Sequence, residues 1–235
     1  MSRRGQCTTA GGRIDRAGRD VDDWRAAMAG STGALGRKDI VAGLERLGLR
    51  RGDRVLVHSS LSSFGPVTGG ADTVIDALLE AVGETGTVVV PTFGCSDEVF
   101  DPSSSETGLG VIPRVFWKRP GALRSRHPLA SAAAIGPDAE ELIRDHEKAD
   151  TGHGEGTPYH RLYERAGKIL LLGVDQDRST FLHTAEELSR LPYLRPSTAR
   201  YLDERGAVVR ATWAWFPGPH RDFIGLQRSW SARAS

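Results

Sequence analysis

A histidine and a glutamate in the second half of the chain have the spacing of an acid–base pair. His183 and Glu186 are three residues apart, in a segment that is predicted to form a helix beginning near Thr180. Residues three apart share one face of a helix, so the carboxylate can accept a hydrogen bond from one imidazole nitrogen. The other nitrogen can then take up a proton near neutral pH. The spacing predicts a general base; the alternative is an ordinary surface His–Glu pair.

A serine- and glycine-rich loop is the second candidate site. It runs from His58 to Gly70 and holds four serines and three glycines, between a predicted strand and a helix that starts at Ala71. The amides and hydroxyls of such a loop, with the positive end of a helix dipole, favour phosphate. The loop has neither the Gly-Lys-Ser/Thr of a P-loop nor a Gly-x-Gly-x-x-Gly fingerprint. It indicates an anion site of another type, or an ordinary polar connection.

Other chemistries find less support in the sequence. Five potential metal ligands occur in one stretch, but they match no common metal motif, and we expect no metal: His153, Glu155, His160, His183 and Glu186. The sequence contains no Gly-x-Ser-x-Gly element of a serine hydrolase. Cys95 lacks a local signature of a thiol nucleophile.

The elements that position the loop form a strand, loop, helix, strand order. Apolar spacing predicts a first helix over residues 36–49 and a second over 71–82, which ends at Gly83. Short strands are predicted over 54–58 and 87–90. A helix between two short strands implies a parallel pair joined by a right-handed crossover.

The second half of the chain completes a single α/β domain. Residues 93–106 are polar and predict an acidic surface loop, and residues 138–146 predict a helix. Residues 168–174 are predicted to form the most deeply buried strand of the chain. Two strands around the turn at Asp203–Gly206 predict a hairpin. We expect a mixed, largely parallel central sheet flanked by helices, with a partly disordered leader over 1–35 and one domain over 36–235.

The composition of the chain argues against some classes of binding partner. The chain has 235 residues, is 39% apolar and carries a formal net charge of +1, which gives no field for general binding of nucleic acid or a membrane surface. Its apolar runs are far shorter than the roughly 20 residues of a membrane helix. The first 30 residues lack a secretory signal. With only two cysteines, we expect a cytoplasmic protein. Its oligomeric state stays open.

Together, five motifs in register resemble the aminoglycoside N3-acetyltransferases and their relatives. The likeness runs from Asp39 to Phe223 in the order of the family's own motifs: residues 57–65 with Gly69-Gly70, Arg124-Ser125-x-His127-Pro128 with Ser131, Gly154-Glu155-Gly156-Thr157-Pro158, Leu171-Leu172-Gly173-Val174, and Thr180-x-x-His183-x-x-Glu186.

The resemblance implies transfer of an acetyl group from acetyl-CoA to the 3-amino group of the 2-deoxystreptamine ring, without a metal. It implies that His183 is the general base and that Glu186 orients it. Thr180, at the start of the same helix, is expected beside the thioester oxygen. The pantetheine arm and phosphates are expected on the loop: His58, Ser59, Ser60, Ser62, Ser63, Val67, Gly69 and Gly70.

Carboxylates are the expected partners of a polycationic sugar, because they supply charge-assisted hydrogen bonds. The candidates are Glu155 and the acidic loop residues Asp97, Glu98 and Asp101. Two further hypotheses stay open. One is an N-acetyltransferase of another amine in a biosynthetic or self-protecting pathway. The other, suggested by the short C-terminal part, is a catalytically impaired CoA-binding protein.

Overall fold

The computed structural model describes residues 33–94 and 97–216. Most of the predicted leader, Cys95 and Phe223 lie outside these residues. The helices are α1 (Arg37–Arg46), α2 (Gly70–Val82), α3 (Val111–Phe116), α4 (Ala139–Ile143), α5 (Pro158–Glu164) and α6 (Phe181–Leu188). The strands are β1 (Arg54–Ser59), β2 (Thr87–Pro91), β3 (Leu123–Arg124), β4 (Ala132–Ile135), β5 (Lys168–Leu172), β6 (Arg195–Leu202) and β7 (Val208–Trp215).

The central sheet has the strand order β3-β4-β2-β1-β5. Strand β1 pairs in parallel with β2 on one side and with β5 on the other. Helix α2 connects β1 to β2, as the strand, loop, helix, strand pattern predicts. The expected mixed α/β sheet is confirmed, but it is parallel in only two of its four strand pairings. Parallel pairing brings the carboxyl ends of β1 and β5 to the same edge.

The antiparallel strands of the central sheet are not those of the predicted hairpin. The antiparallel members of the central sheet are β3 and β4, which the sequence pattern did not predict. Strand β4 is three alanines and an isoleucine, and alanine has low strand propensity. Its alanines are fully buried, so tertiary packing sets this strand. The predicted hairpin exists, but β6 and β7 form a separate two-stranded sheet.

Two other expectations about elements are wrong in detail. Strand β5 is an edge strand and is mostly half-buried, because nothing in the described sheet pairs beyond it. The helix predicted over 138–146 ends at Ile143, and a 3-10 turn follows at His146–Lys148. Asp145 lies between them with a left-handed φ of 56°, a conformation that interrupts a right-handed helix.

Apolar layers cover both faces of the sheet. Alternation along β1 places Val55 and Val57 in a cluster with α1 and α2, whereas Leu56 joins a cluster with α4 and α5. Leu35, the last residue of the predicted leader, already belongs to the first cluster. The β6–β7 hairpin packs through a third cluster that includes Trp213. None of the described helices is long and apolar enough to cross a membrane.

Candidate functional site

The two candidate segments meet at the carboxyl ends of β1 and β5. Residues of these ends pair directly, Ser59 with Leu172. Beyond the pairing, the backbone N–H of Ser60 donates to the carbonyl of Leu172 at 2.9 Å. The hydroxyl of Ser63 donates to the carbonyl of Gly173 at 2.8 Å. The serine loop and the segment that leads to His183 are therefore hydrogen-bonded neighbours.

The loop after β1 is a compact turn that enters α2 through glycines. A 3-10 turn at Leu61–Phe64 follows the strand, and the hydroxyls of Ser60 and Ser62 lie 3.0 Å apart. Gly69 and Gly70 have φ values of 80° and 61°, which favour glycine. A Cβ on Gly70 would meet no atom within 4 Å. The loop thus presents hydroxyls and a helix start beside open space.

His183 and Glu186 form the predicted pair on α6. His183 Nδ1 is hydrogen-bonded to Glu186 Oε2, and the hydroxyl of Tyr193 donates to Glu186 Oε1 at 2.6 Å. The imidazole stacks on Phe216, with ring centroids 3.7 Å apart. A carboxylate only accepts hydrogen bonds, so Nδ1 carries the hydrogen and Nε2 is the basic nitrogen.

Burial keeps this imidazole neutral. The pKa of His183 is lowered to about 4, first by burial and then by repulsion from His153, while Glu186 and Glu187 act in the opposite direction. A base with this pKa is unprotonated at neutral pH, as proton abstraction requires.

His58 and Thr180 lie between the loop and α6. His58 Nε2 is 3.5 Å from Thr180 Oγ1, which links the end of β1 to the residue that precedes α6. His58 is buried, and its pKa is lowered to about 3 by burial and by His153. The neutral ring is enclosed. His58, one of the predicted cofactor-binding residues, therefore lies below the surface of the loop rather than on it.

Sequence reasoning missed a second histidine–carboxylate pair. The backbone N–H of His153 donates to Glu187 Oε2 at 2.5 Å, and His153 Nδ1 lies 3.3 Å from Glu187 Oε1. From the sequence, His153 is a candidate only as a potential metal ligand; the described residues contain no group of three or more potential ligands for a metal. One signal in the sequence is the adjacent pair Glu186 and Glu187. Consecutive residues of a helix lie on different faces, so Glu187 points to a different partner from that of Glu186.

The predicted substrate carboxylates lie on two separate segments. Asp97 accepts from the hydroxyl of Ser105 at 2.6 Å, and Asp101 accepts from Ser103 and Ser104 in its own loop. These bonds lower the pKa of Asp101. Glu98 forms an ion pair with Arg200 of β6. Glu155 is exposed, two residues after His153.

Gly173 offers a test of the contact between the two segments. Its φ is 69°, and an added Cβ would lie 2.3 Å from Ser63 Cβ. We expect Gly173→Ala to lower the free energy of unfolding by about 2–4 kcal/mol, from left-handed strain and overpacking together. Urea unfolding measures the loss. Gly206→Ala is the matched control, because its φ is 76° but its Cβ would meet nothing within 4 Å; equal losses would refute the contact.

Comparison with known proteins gives one consistent family. Residues 56–232 match the model of a family described as aminoglycoside 3-N-acetyltransferase. Aminoglycoside N(3)-acetyltransferase IV of Salmonella sp is 40% identical over 177 residues, 74% of this chain and 67% of the relative. Aminoglycoside N(3)-acetyltransferase IX of Micromonospora chalcea is 39% identical, over 68% of this chain and 64% of the relative. The chain thus spans about two thirds of the length of these relatives.

Solved structures agree with this assignment. AAC-IIIb in a binary complex with CoASH superposes with a TM-score of 0.77 at 31% identity, over 86% of both chains. A mutant of AAC(3)-IVa in complex with a gentamicin gives a TM-score of 0.79 at 34% identity, over 87% of this chain and 79% of that one. The fold, the two adjoining segments and the family match lead to one conclusion: this chain belongs to the aminoglycoside 3-N-acetyltransferase family.

Proposed function

We propose that the protein transfers the acetyl group of acetyl-CoA to the 3-amino group of the 2-deoxystreptamine ring of an aminoglycoside. The observation that carries this proposal is a neutral imidazole on α6, a helix whose preceding segment is hydrogen-bonded to the serine and glycine loop after β1. His183 supplies the base, and the loop supplies donors for an anionic cosubstrate. The relatives that share the fold include structures with CoASH and with a gentamicin.

His183 Nε2 takes a proton from the acceptor amine as its nitrogen attacks the thioester carbonyl. The C–N bond forms, the C–S bond breaks, and the proton passes to the departing thiolate, so that N-acetylated amine and CoA thiol result. Glu186 holds the Nδ1–H tautomer throughout, and Tyr193 holds Glu186 by its second oxygen. Direct transfer of this kind needs no acyl-enzyme.

The loop residues bind the cosubstrate. Ser59, Ser60, Ser62 and Ser63 supply hydroxyls near the start of α2, where unsatisfied amides favour phosphate oxygens. Val67, Gly69 and Gly70 shape the entry to the helix, and the open space at Gly70 leaves room for a pantetheine arm. The Thr180 hydroxyl, 3.5 Å from His58 Nε2, is the donor assigned to the thioester oxygen, where it offsets developing negative charge.

Carboxylates recognise the acceptor. A polycationic sugar needs several charge-assisted hydrogen bonds, and Glu155, Asp97, Glu98 and Asp101 are the acidic residues assigned to it.

The use of acetyl-CoA as cosubstrate supports a cytoplasmic location for the enzyme.

The direct experiment incubates the full chain with acetyl-CoA and gentamicin or sisomicin and follows thiol release, with the acetylated position determined by NMR. We expect thiol release and acetylation at the 3-amino group. Turnover of a different amine with no aminoglycoside turnover would reassign the substrate. Calorimetric binding of acetyl-CoA without thiol release for any acceptor would instead indicate an impaired CoA-binding protein.

A further inference from the structure

Arg124, on the terminal strand β3 of the central sheet, contacts two aromatic rings. Its guanidinium carbon is 4.9 Å from the centroid of the Phe100 ring and 4.6 Å from that of Trp117. Phe100 belongs to the acidic loop, and Trp117 directly follows α3. A planar guanidinium is attracted to the faces of aromatic rings, so the two rings help to fix the direction in which the Arg124 donors point.

The donors of Arg124 bind both ends of the acidic loop. Nη2 and Nε donate to the carbonyl and the hydroxyl of Thr92, at 2.6 and 3.1 Å. Nη1 donates to the carbonyl of Ser105 at 2.5 Å. Thr92 directly follows β2 and precedes the loop, whereas Ser105 lies near the end of the loop. Both partners are buried, so one side chain joins the two ends of the loop out of contact with water.

Ser105 connects Arg124 to two carboxylate-bearing residues of the loop. The Ser105 hydroxyl donates to Asp97 Oδ2 at 2.6 Å and accepts from the backbone N–H of Asp101 at 3.0 Å. The backbone N–H of Ser105 donates to the carbonyl of Asp101 at 2.8 Å. Because Arg124 holds the carbonyl of the same serine, the positions of Asp97 and Asp101 depend on Arg124.

The acidic loop begins and ends at the edge of the sheet that carries the candidate site. Strand β2 is parallel to β1, so Thr92 lies at the edge where the loop after β1 begins. The chain returns to this edge after the acidic loop, because a Cβ on Gly110 would lie 4.0 Å from the carbonyl oxygen of Ser59, the last residue of β1. The acidic loop and the loop after β1 are therefore neighbours at their bases.

The middle of the acidic loop has a separate attachment to the β6–β7 hairpin. The backbone N–H of Phe100 donates to the carbonyl of Arg200, and the carbonyl of Phe100 accepts from the N–H of Leu202, both at 2.9 Å. These bonds do not involve Arg124. Loss of the Arg124 donors therefore releases the Ser105 side of the loop while Phe100 stays attached to β6.

We propose that Arg124 is a positioning residue for the acceptor: it holds the acidic loop at this edge so that Asp97 and Asp101 keep fixed positions. The proposal rests on the proposed function, in which the acidic loop binds the cationic sugar. Carboxylates that are already in place bind a cation without first losing the conformational freedom of their loop. Arg124 thus acts on acceptor binding without touching the acceptor.

The test is Arg124→Lys, which keeps the positive charge but loses the planar set of donors. We expect the KM for an aminoglycoside to rise about 10- to 100-fold, the size of one lost charge-assisted hydrogen bond. The KM for acetyl-CoA and the kcat at saturating acceptor change little, because the loop after β1 and His183 keep their own contacts. Steady-state thiol release with gentamicin, varied against each substrate in turn, measures these constants.

The matched control is Arg161→Lys. Arg161 is half-buried, as Arg124 is, and it also donates to two backbone carbonyls, those of Leu142 and Arg144 at 3.0 and 2.5 Å. These partners lie at the end of α4, outside both loops. We expect both KM values to stay unchanged in this variant. An unchanged acceptor KM in Arg124→Lys, an equal rise in Arg161→Lys, or an equal rise in the KM for acetyl-CoA overturns the proposal.

Hydrogen exchange measured by NMR gives a readout that does not depend on activity. In Arg124→Lys we expect the amides of Asp101 and Ser105 to exchange about 10-fold faster, because local opening of the loop becomes easier. The amide of Ser60, which donates to Leu172, keeps its rate. Unchanged exchange at Asp101 and Ser105 overturns the proposal. If Arg124→Lys does not fold, Arg124→Gln, with a single amide group, takes its place.

The two readouts separate this proposal from the proposed function. If the unmodified protein releases no thiol with any aminoglycoside, the proposed function fails, and the exchange rates still decide whether Arg124 holds the acidic loop. If the unmodified protein acetylates gentamicin and Arg124→Lys does so with the same acceptor KM, the role of Arg124 fails and the proposed function stands.

Discussion

Replacement of His183 by alanine lowers kcat by about 10²–10⁴-fold, the contribution typical of a general base. The KM for acetyl-CoA changes little, because the loop after β1 is assigned to the cosubstrate and His183 is not. Steady-state thiol release with saturating aminoglycoside measures both constants.

The chain offers a closely matched control in His160. Like His183, it pairs with a glutamate on its own helix, here Glu164 at 3.7 Å, and its side chain is 15% exposed against 16% for His183. Both variants lose a His–Glu pair within a helix, so that loss alone cannot produce a difference in rate between them. His160→Ala therefore keeps its rate, and an equal loss in the two variants, or an unchanged rate in His183→Ala, would remove His183 from the mechanism.

The pH profile follows from the same geometry. A base must be unprotonated, and the pKa of His183 is lowered to about 4. Lowering the pKa of a base moves its acid limb to lower pH, so at pH 6 only about 1% of His183 is protonated, against about three quarters of an ordinary histidine. We expect no limb near pH 6.5 in kcat/KM; the ammonium of the acceptor titrates separately at higher pH.

Local patterns predicted the parts of the site that lie close in sequence. The His183–Glu186 bond spans three residues within one helix, so periodicity suffices to find it. The loop after β1 can be identified from the sequence because its serines and glycines lie between a predicted strand and a predicted helix. Pairing of β1 with β5 then joins the two segments, which follows from a parallel sheet but not from either segment alone.

The unpredicted parts depend on contacts between distant residues. The His153–Glu187 bond joins positions 34 apart. Glu187 beside Glu186 indicates a carboxylate on a second helix face, but nothing in the sequence identifies His153 as its partner. Strand β4 is three alanines and an isoleucine without polar alternation, and its burial between β2 and β3 determines its conformation. The apolar sequence of β5 predicts a buried strand, yet its place at the sheet edge is a property of the whole topology.

The free energy of unfolding should fall steeply between pH 7 and pH 5, because the domain buries several neutral histidines. Burial lowers the pKa of His58 and His146 to about 3, the pKa of His183 to about 4 and the pKa of His127 well below the usual value. His127 Nδ1 accepts from the backbone N–H groups of Leu129 and Ala130, so protonation of this nitrogen would break both bonds.

The sign follows from linkage. The folded pKa of such a histidine lies below 5 and its unfolded pKa near 6.5. At pH values between the two, the unfolded chain binds more protons than the folded chain, so the free energy of unfolding falls as pH falls. Each histidine with a folded pKa of about 3 or 4 costs roughly 2 kcal/mol between pH 7 and pH 5, so His58, His146 and His183 together cost about 6 kcal/mol, comparable with the whole stability of a typical domain. The size of the effect requires only that the folded pKa values lie below 5.

Urea unfolding at pH 7, 6 and 5 measures this dependence, and His146→Gln isolates one proton of it. His146 is fully buried, with Nε2 2.9 Å from the carbonyl of Gly152 and Nδ1 2.8 Å from Ser125 Oγ. The variant is less stable at pH 7 but loses about 2 kcal/mol less on acidification to pH 5. A free energy of unfolding that stays constant from pH 7 to pH 5 would show that these rings can be charged without loss of the fold, and the neutral state assigned to His183 would lose its physical basis with theirs.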